Sequence, residues 1–254
     1  MNQITSVNNP IIKEIIKLHQ KKYRDHSSFF LVEGLKSYEE IESNKNIKIE
    51  YIFILKNLEH KIKTNLDKVT IVTEAVLKKL STTTTPSPII VVAQKPDVDF
   101  SKIKKSQTLA LLENIRDPGN LGTIIRSAVA FNLGGLLIYG DSVDIYNPKV
   151  IRAATGNFFK VPILYISNIS QLKQEFPDFI FVSTGLKDKK HTDNKIDFTK
   201  KNIIMFGSEA EGLSSELLNI ASFNKVISMS SKVESLNLSV AAGILFYEIF
   251  KNHH

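Results

Sequence analysis

Three short segments in the last 150 residues hold the side chains best suited to chemistry. Asn114 to Arg126 reads NIRDPGNLGTIIR, Phe206 to Leu213 reads FGSEAEGL, and Ile227 to Val240 reads ISMSSKVESLNLSV. Each places Gly, Asn, Ser or Glu where a strand should give way to a loop or helix, and ligands of open α/β domains bind at such strand ends. In the first, strand LALLE ends at Asn114, Asp117-Pro118-Gly119 turns, and a helix opens at Asn120. Arg126 follows six residues on, a planar multi-donor group for a phosphate or a developing oxyanion. The same residues also read as a plain turn with a surface arginine.

In the second segment, Gly207 and Gly212 permit close approach of backbone to a flat or phosphorylated ligand. Glu209 beside them can accept hydrogen bonds from a ligand or fix a neighbouring loop, and equally can support a helix cap at Ser214. In the third, Ser235 or Asn237 caps a long apolar helix whose Ala241, Ala242 and Gly243 allow close packing. Ser235 as a nucleophile lacks a nearby histidine base. A nicotinamide site is disfavoured, since no G-x-G-x-x-G and no ribose-binding acid are present.

The elements that must position these residues follow from composition and pattern. A chain of 254 residues, 43% hydrophobic, suits one large or two small domains, and two are expected. No apolar run approaches the roughly 20 residues of a membrane span, and the start lacks the layout of a signal peptide; a cytoplasmic protein is expected. Zero Cys removes disulfides and thiolate chemistry, and the six His show no metal-ligand spacing, with His253 and His254 read as a frayed end. Residues 1–106 hold 17 Lys, 1 Arg and 12 acids, a net +6, whereas residues 107–254 hold 12 Lys, 3 Arg and 14 acids, a net +1. A phosphate backbone is the commonest partner of such a surplus, although lysine-rich surfaces also serve solubility alone. Three of only four arginines, 116, 126 and 152, fall close together, which points to a site there.

Residues 1–95 read as a small α/β domain. Asn9 caps a helix with Pro10 first, then come strand FFLVEG, a helix near Tyr38 to Ser43, strands YIFIL and VTIVT, helix EAVLKKL and strand PIIVVAQ. Residues 96–106 lose periodicity and read as a linker. In residues 107–254, strands LALLEN, GLLIYG, VPILYIS, FIFVST, NIIMFG and KVISM alternate with helices. Short apolar strands between helices indicate a buried parallel sheet.

Jointly and in this order, N-x-x-D-P-G-N-L-G-x-I-x-R, G-S-E-x-x-G-L and E-S-L-N-L-S-V-A resemble the three motifs of the SpoU-type ribose 2′-O-methyltransferases of the SPOUT superfamily. The preceding half, with SVNNPIIKEIIKL and FFLVEG, is similar to the ribosomal-protein-like substrate-binding domain that often precedes them, and VDIYNPKVIRAATGNFFKVPI to the family's intermotif segment. The resemblance implies an α/β domain closed by a trefoil knot, one of the rare exceptions to unknotted topology. It implies S-adenosylmethionine as cofactor, held by Gly207, Ser208, Glu209, Ile227, Met229, Ser235, Leu236, Asn237 and Leu238. It gives Asn120, Arg126, Glu209, Ser235 and Asn237 as the catalytic set, with Arg126 as a phosphate clamp and alkoxide stabiliser and the general base unassigned. Arg116, Lys149 and Arg152 are expected to contact RNA, and a homodimer with the third-motif helix near its interface is expected.

Two departures stand out: Ser228 and Ser231 replace the Pro and Gly usual in the third motif, on a loop that should face the cofactor. The resulting expectation is ribose 2′-O-methylation of a structured RNA, ribosomal RNA ahead of transfer RNA because of the basic first domain. The alternatives are a non-catalytic RNA-binding or ribosome-assembly protein on the same fold, and a nicotinamide-dependent dehydrogenase.

Overall fold

The computed structural model describes residues 2–63, 65–98, 100–185 and 196–253. Two of the six His, His191 and His254, lie outside them. The chain forms two compact units, residues Met1–Asp97 with Asp144–Phe159, and residues Val98–Val143 with Lys160–His254.

Unit 1 is built on a five-stranded mixed sheet. Strands β1 (Asn2–Ile4), β2 (Phe29–Glu33), β3 (Ile49–Ile54), β4 (Val69–Val72) and β5 (Ile89–Gln94) lie in the order β1-β4-β3-β5-β2. β5 runs antiparallel to both its neighbours, while β3, β4 and β1 are parallel. Helix α1 (Pro10–Lys17) starts as its residue types require: Asn9 accepts a 2.9 Å bond from the Ile11 N–H, and Pro10 takes the first position. Its Ile12 and Ile15 pack with Leu31, Phe53, Val92 and, beyond α3 (Leu35–Ser43) along the chain, with Leu77 of α4 (Glu74–Leu80). β1 and helix α2 (Lys21–Asp25) went unread in the sequence; β1 is three residues long, shorter than a period-2 pattern can reveal.

Residues 144–159, expected in the C-terminal domain, belong to unit 1. Asn147 caps the six-residue helix α7 (Pro148–Ala153). Tyr146 and Phe159 stand against Phe30 with ring centroids 4.9 and 5.7 Å away. Arg24, 2% exposed, donates from Nε to Asp144 at 2.6 Å and from Nη1 to the carbonyls of Leu18 and His19 at 2.8 Å. The one arginine outside the C-terminal cluster is thus an internal tie, its charge compensated inside the unit.

Unit 2 is a six-stranded, fully parallel sheet. Its strands β6 (Thr108–Glu113), β7 (Leu136–Tyr139), β8 (Ile163–Ile166), β9 (Ile180–Thr184), β10 (Asn202–Phe206) and β11 (Phe223–Lys225) lie in the order β11-β9-β10-β6-β7-β8. All residues of β6 and β10 are buried, as a sheet covered on both faces demands. The covering helices are α5 (Phe100–Lys104), α6 (Pro118–Ala130), α8 (Ile169–Glu175), α9 (Ser215–Ile220) and α10 (Leu238–His253). Residues 96–106, expected as a linker, contain α5, whose fully buried Ile103 joins the core with Leu109 and Leu137. The KVISM strand is displaced: pairing stops at Lys225, and the apolar residues after it line a cavity instead of extending the sheet. Among the described residues, no helix is long and apolar enough to cross a membrane.

Candidate active site

The sheet order of unit 2 reverses between two neighbouring strands. From β6 the chain builds outward through β7 and β8, then crosses back so that β9 and β10 lie on the other side, with β10 beside β6. The crevice at the carboxyl ends of β6 and β10 is therefore the topological switch point, where loops diverge and leave room for a ligand. The first two chemical segments follow these two strands.

After β6, Asn114 adopts a left-handed conformation, φ 55°, and its Oδ1 accepts from the Asp141 N–H at 2.7 Å, tying the ends of β6 and β7. Asp117, not Asn120, is the cap of α6, accepting from the Asn120 N–H at 2.8 Å. The helix thus begins two residues earlier than expected, with Pro118 at its first position, and Asn120 sits in the first turn with its side chain free to reach the crevice. After β10, the loop folds back sharply: Ser208 and Gly212 pair, and a Cβ at Gly207 would fall 2.0 Å from the Gly212 carbonyl carbon. Glycine is required there because the partner is backbone, which cannot rotate away. Glu113, at the end of β6, accepts from the Ser214 N–H at 2.7 Å and anchors the far side of this loop. Nearby, burial and the carboxylates Glu216 and Glu113 push the Tyr139 phenol pKa up.

The third segment resolves the capping alternative. Asn237 Oδ1 accepts from Ser239 N at 2.9 Å, Ser239 Oγ at 2.7 Å and Val240 N at 3.4 Å, so Asn237 starts α10 and Ser235 does not. Its amide nitrogen turns the other way, donating to Asn120 Oδ1 at 3.1 Å and to Glu209 Oε1 at 3.3 Å. Asn120 Nδ2 donates to the same Glu209 oxygen. One side chain from each of the three segments, 89 and 28 residues from Glu209 along the chain, thus meets in a closed triangle. Glu209 is spent on this triangle and takes no part in the Ser214 cap, which accepts from Leu217 N by its own hydroxyl.

Beside the triangle lies a cavity of about 620 Å³, within the range of small-molecule sites. Gly207, Ser208 and Glu209 form one side of it, Ile227 and Met229 a second, and Ser235, Leu236, Asn237 and Leu238 a third. Ser228 and Ser231 are exposed, and neither is part of the wall. Sequence reasoning missed Thr184, Gly185, Asn224 and Lys225, which close the end nearest β9 and β11. The available signal was a Thr-Gly pair at a strand's carboxyl end; Thr184 Oγ1 bonds the Met205 carbonyl at 2.8 Å and Asn224 Nδ2 the Gly185 carbonyl at 3.1 Å.

The other expected residues lie elsewhere. Arg126 is exposed on α6, outside the cavity wall, with no partner among the described residues. Its neighbour Ser127 sits 3.5 Å from where a Cβ of Gly243 would be, which puts Arg126 at the flank of α10. Arg116 is exposed and 3.7 Å from Asp141. Lys149 and Arg152 belong to α7 of unit 1, where Arg152 Nη1 donates to Thr82 Oγ1 at 3.4 Å. Among the described residues no His, Asp and Glu cluster could hold a metal ion.

Chemically, the site offers one carboxylate pinned by two amides, exposed backbone at two glycines and an aliphatic wall. That combination suits a ligand with one polar and one flat apolar part.

Comparison with known proteins agrees with this geometry. Residues 107–247 match the SpoU rRNA Methylase family, and residues 9–91 match the MRM3-like substrate binding domain. The chain is 30% identical to the 23S rRNA (guanosine(2553)-2′-O)-methyltransferase RlmP of Bacillus subtilis, over 98% of this chain and 99% of that protein. It is 29% identical to an uncharacterised tRNA/rRNA methyltransferase of Synechocystis, over 96% and 92%. The AdoMet-bound rRNA methyltransferase of Sinorhizobium meliloti superposes with a TM-score of 0.87 at 28% identity, covering 98% of this chain and 97% of that one. The three-loop triangle at the switch point, the cavity beside it and the matched residues together show that the chain belongs to the SpoU rRNA methylase family.

Proposed function

We propose that this chain transfers a methyl group from S-adenosylmethionine to a ribose 2′-hydroxyl in structured ribosomal RNA. The observation that carries the reading is the Asn120–Glu209–Asn237 triangle on the rim of the cavity, since it brings all three motif segments to one point. The cavity residues fit the cofactor: its volume suits a nucleoside with a short tail, Ile227, Met229 and Leu238 give an apolar wall for a flat base, and the loops at Gly207–Ser208 and Leu236 present backbone to polar edges. When bound, that cofactor would supply an electrophilic methyl.

The residues' task is then positional. Holding the hydroxyl in line with the methyl replaces a chance encounter by a fixed geometry, which can be worth several kcal/mol. Asn120 and Asn237 orient Glu209, and Ser235, also in the cavity wall, is there to hydrogen-bond a ribose edge. Arg126 clamps the adjoining phosphate and stabilises the developing alkoxide; it is not the base, because a guanidinium keeps its proton. Arg116, Lys149 and Arg152 contact RNA phosphates.

Two further parts belong to the reading. The segment after β11 is threaded as a knot, and the working form is a homodimer along α10. Supporting the dimer, Val240, Ile244 and Tyr247, at helical spacing on α10, are 49%, 40% and 51% exposed, an apolar stripe that water should not be left to cover. A cytoplasmic location follows from a ribosomal substrate.

The reading is tested by incubating the protein with methyl-labelled S-adenosylmethionine and unmodified ribosomal or transfer RNA in separate tubes, then digesting with alkali. Alkali-resistant label in the rRNA tube is the expected result, because a 2′-O-methyl blocks cleavage of the adjoining phosphodiester. Label confined to tRNA would refute the rRNA assignment, and cofactor binding without label on any RNA would favour a non-catalytic RNA-binding protein.

A further inference from the structure

Unit 1 carries its own hollow, of about 520 Å³, bordered by α1, α2 and the sheet. Its inner walls are apolar and aromatic, with Ile11 and Ile15 from α1, Phe29 from β2 and Tyr51 from β3. The Tyr51 ring is held in place by stacking on Phe53, with centroids 5.6 Å apart and planes 21° from parallel. At the mouth stands Tyr23, 39% exposed, an uncommon place to leave a phenol ring beside an equally exposed Ile11. Two ammonium groups flank that ring, Lys22 Nζ at 4.9 Å and Lys17 Nζ at 5.9 Å from its centroid.

Charge selects the occupant. Lys17 is paired with Glu14 and Lys21 with Asp25, while Lys13 and Lys22 have no carboxylate partner among the described residues. The surface of α1 and α2 therefore carries a cationic surplus, and residues 1–106 as a whole carry +6. Two carboxylates line the hollow: Glu14, which is paired with Lys17, and Glu50, which has no hydrogen-bond partner among the described residues. An unpaired acceptor in the wall, aromatic rings beside it and ammonium groups flanking Tyr23 are complementary to a nucleotide: the base edge donates to Glu50, its face stacks on a tyrosine, and its phosphates meet the lysines. An apolar peptide would use the walls and leave both Glu50 and the lysines unanswered.

We propose that this hollow receives one unpaired, amino-bearing base of the RNA substrate, stacked on Tyr23 with Glu50 accepting from its edge. The proposal rests on the RNA-methylation reading and deepens it, since it assigns the substrate a single-stranded nucleotide outside the methylated ribose. Loss of one base–aromatic stack weakens binding by about 5- to 150-fold.

The test uses the full chain with Tyr23→Ala, Tyr23→Phe and Glu50→Gln. Affinity is measured for short unstructured oligonucleotides rich in guanosine or in uridine, and ultraviolet cross-links to the guanosine-rich one are mapped by peptide mass. Tyr23→Ala should weaken oligonucleotide binding at least 5-fold and raise the KM for rRNA with kcat and S-adenosylhomocysteine affinity unchanged, while Tyr23→Phe retains wild-type values. Glu50→Gln should narrow the preference for guanosine over uridine. Cross-links should fall on Tyr23 or Tyr51. Wild-type affinity and KM in Tyr23→Ala, or cross-links confined to other residues or to a second copy of the chain, would overturn the proposal. If the unsubstituted protein methylates no RNA, the methylation reading fails by itself, and the oligonucleotide and cross-linking results still decide whether the hollow holds a base.

Discussion

Asn237 performs two tasks with the two ends of one amide, and substitutions can separate them. Its oxygen caps α10 and its nitrogen holds Asn120 and Glu209. Asn237→Asp keeps the capping oxygen, so folding stability should stay near wild type. It deletes both donated bonds, worth about 1 kcal/mol at an exposed site, and sets a second carboxylate where the amide stood 3.3 Å from Glu209. Both residues are exposed, so the water limit of Coulomb's law applies, and the repulsion is about 1 kcal/mol. The sum, about 2 kcal/mol, corresponds to roughly 30-fold weaker closure of the site. Two carboxylates that close retain a shared proton to higher pH than either would alone, and the protonated form donates again. The defect should therefore be full near pH 8 and shrink as pH falls toward about 5. The assay is calorimetric titration with S-adenosylhomocysteine across that range, as a ratio to wild type, alongside thermal unfolding. Asn237→Ala should lose both tasks, adding about 1 kcal/mol from the missing cap and lowering Tm by about 2–4 °C. Wild-type cofactor affinity of Asn237→Asp at pH 8 would refute the reasoning, because the triangle would then have no bearing on the cavity.

Arg126→Ala should reduce methyl transfer by about 10²-fold or more while leaving S-adenosylhomocysteine affinity unchanged; transfer at the wild-type rate in a single-turnover assay would remove Arg126 from the chemistry. Gly207→Ala should cost about 1–3 kcal/mol in chemical unfolding and weaken cofactor binding, because its Cβ meets the Gly212 backbone. Asp144→Ala should destabilise unit 1 by about 3–5 kcal/mol by leaving the buried Arg24 charge unanswered, and a denaturation midpoint like wild type's would count against that. Ile244→Glu on the exposed stripe of α10 should turn a dimer into a monomer by light scattering.

Most strands and helices of both units were legible because their residues obey simple periods: β6 and β10 are continuous apolar runs, and the first residues of α1 announce themselves by Asn9 and Pro10. The meeting of Asn120, Glu209 and Asn237 was not legible from periodicity, since it depends on β10 lying beside β6, a non-local pairing; the family resemblance supplied the grouping but not the contacts. KVISM misled for a physical reason, as an apolar run lining a cavity looks the same as one lining a sheet. Arg24 shows the same ambiguity for charge: a scarce guanidinium marks a place that needs several donors, and that place was an interior carboxylate and two carbonyls. The affiliation of residues 144–159 was hidden because Tyr146, Phe158 and Phe159 declare that they need burial, not where.

That affiliation bears on how the protein is made. Phe30 and Arg24, near the start of the chain, find Tyr146, Phe159 and Asp144 only after the ribosome has synthesised two strands of the other unit, β6 and β7. At about 5–20 residues per second, the nascent first unit spends several seconds with an aromatic face uncovered and a guanidinium without its carboxylate. A chaperone has that interval to bind it, and a gene fragment ending at residue 97 would leave the unit permanently in that state.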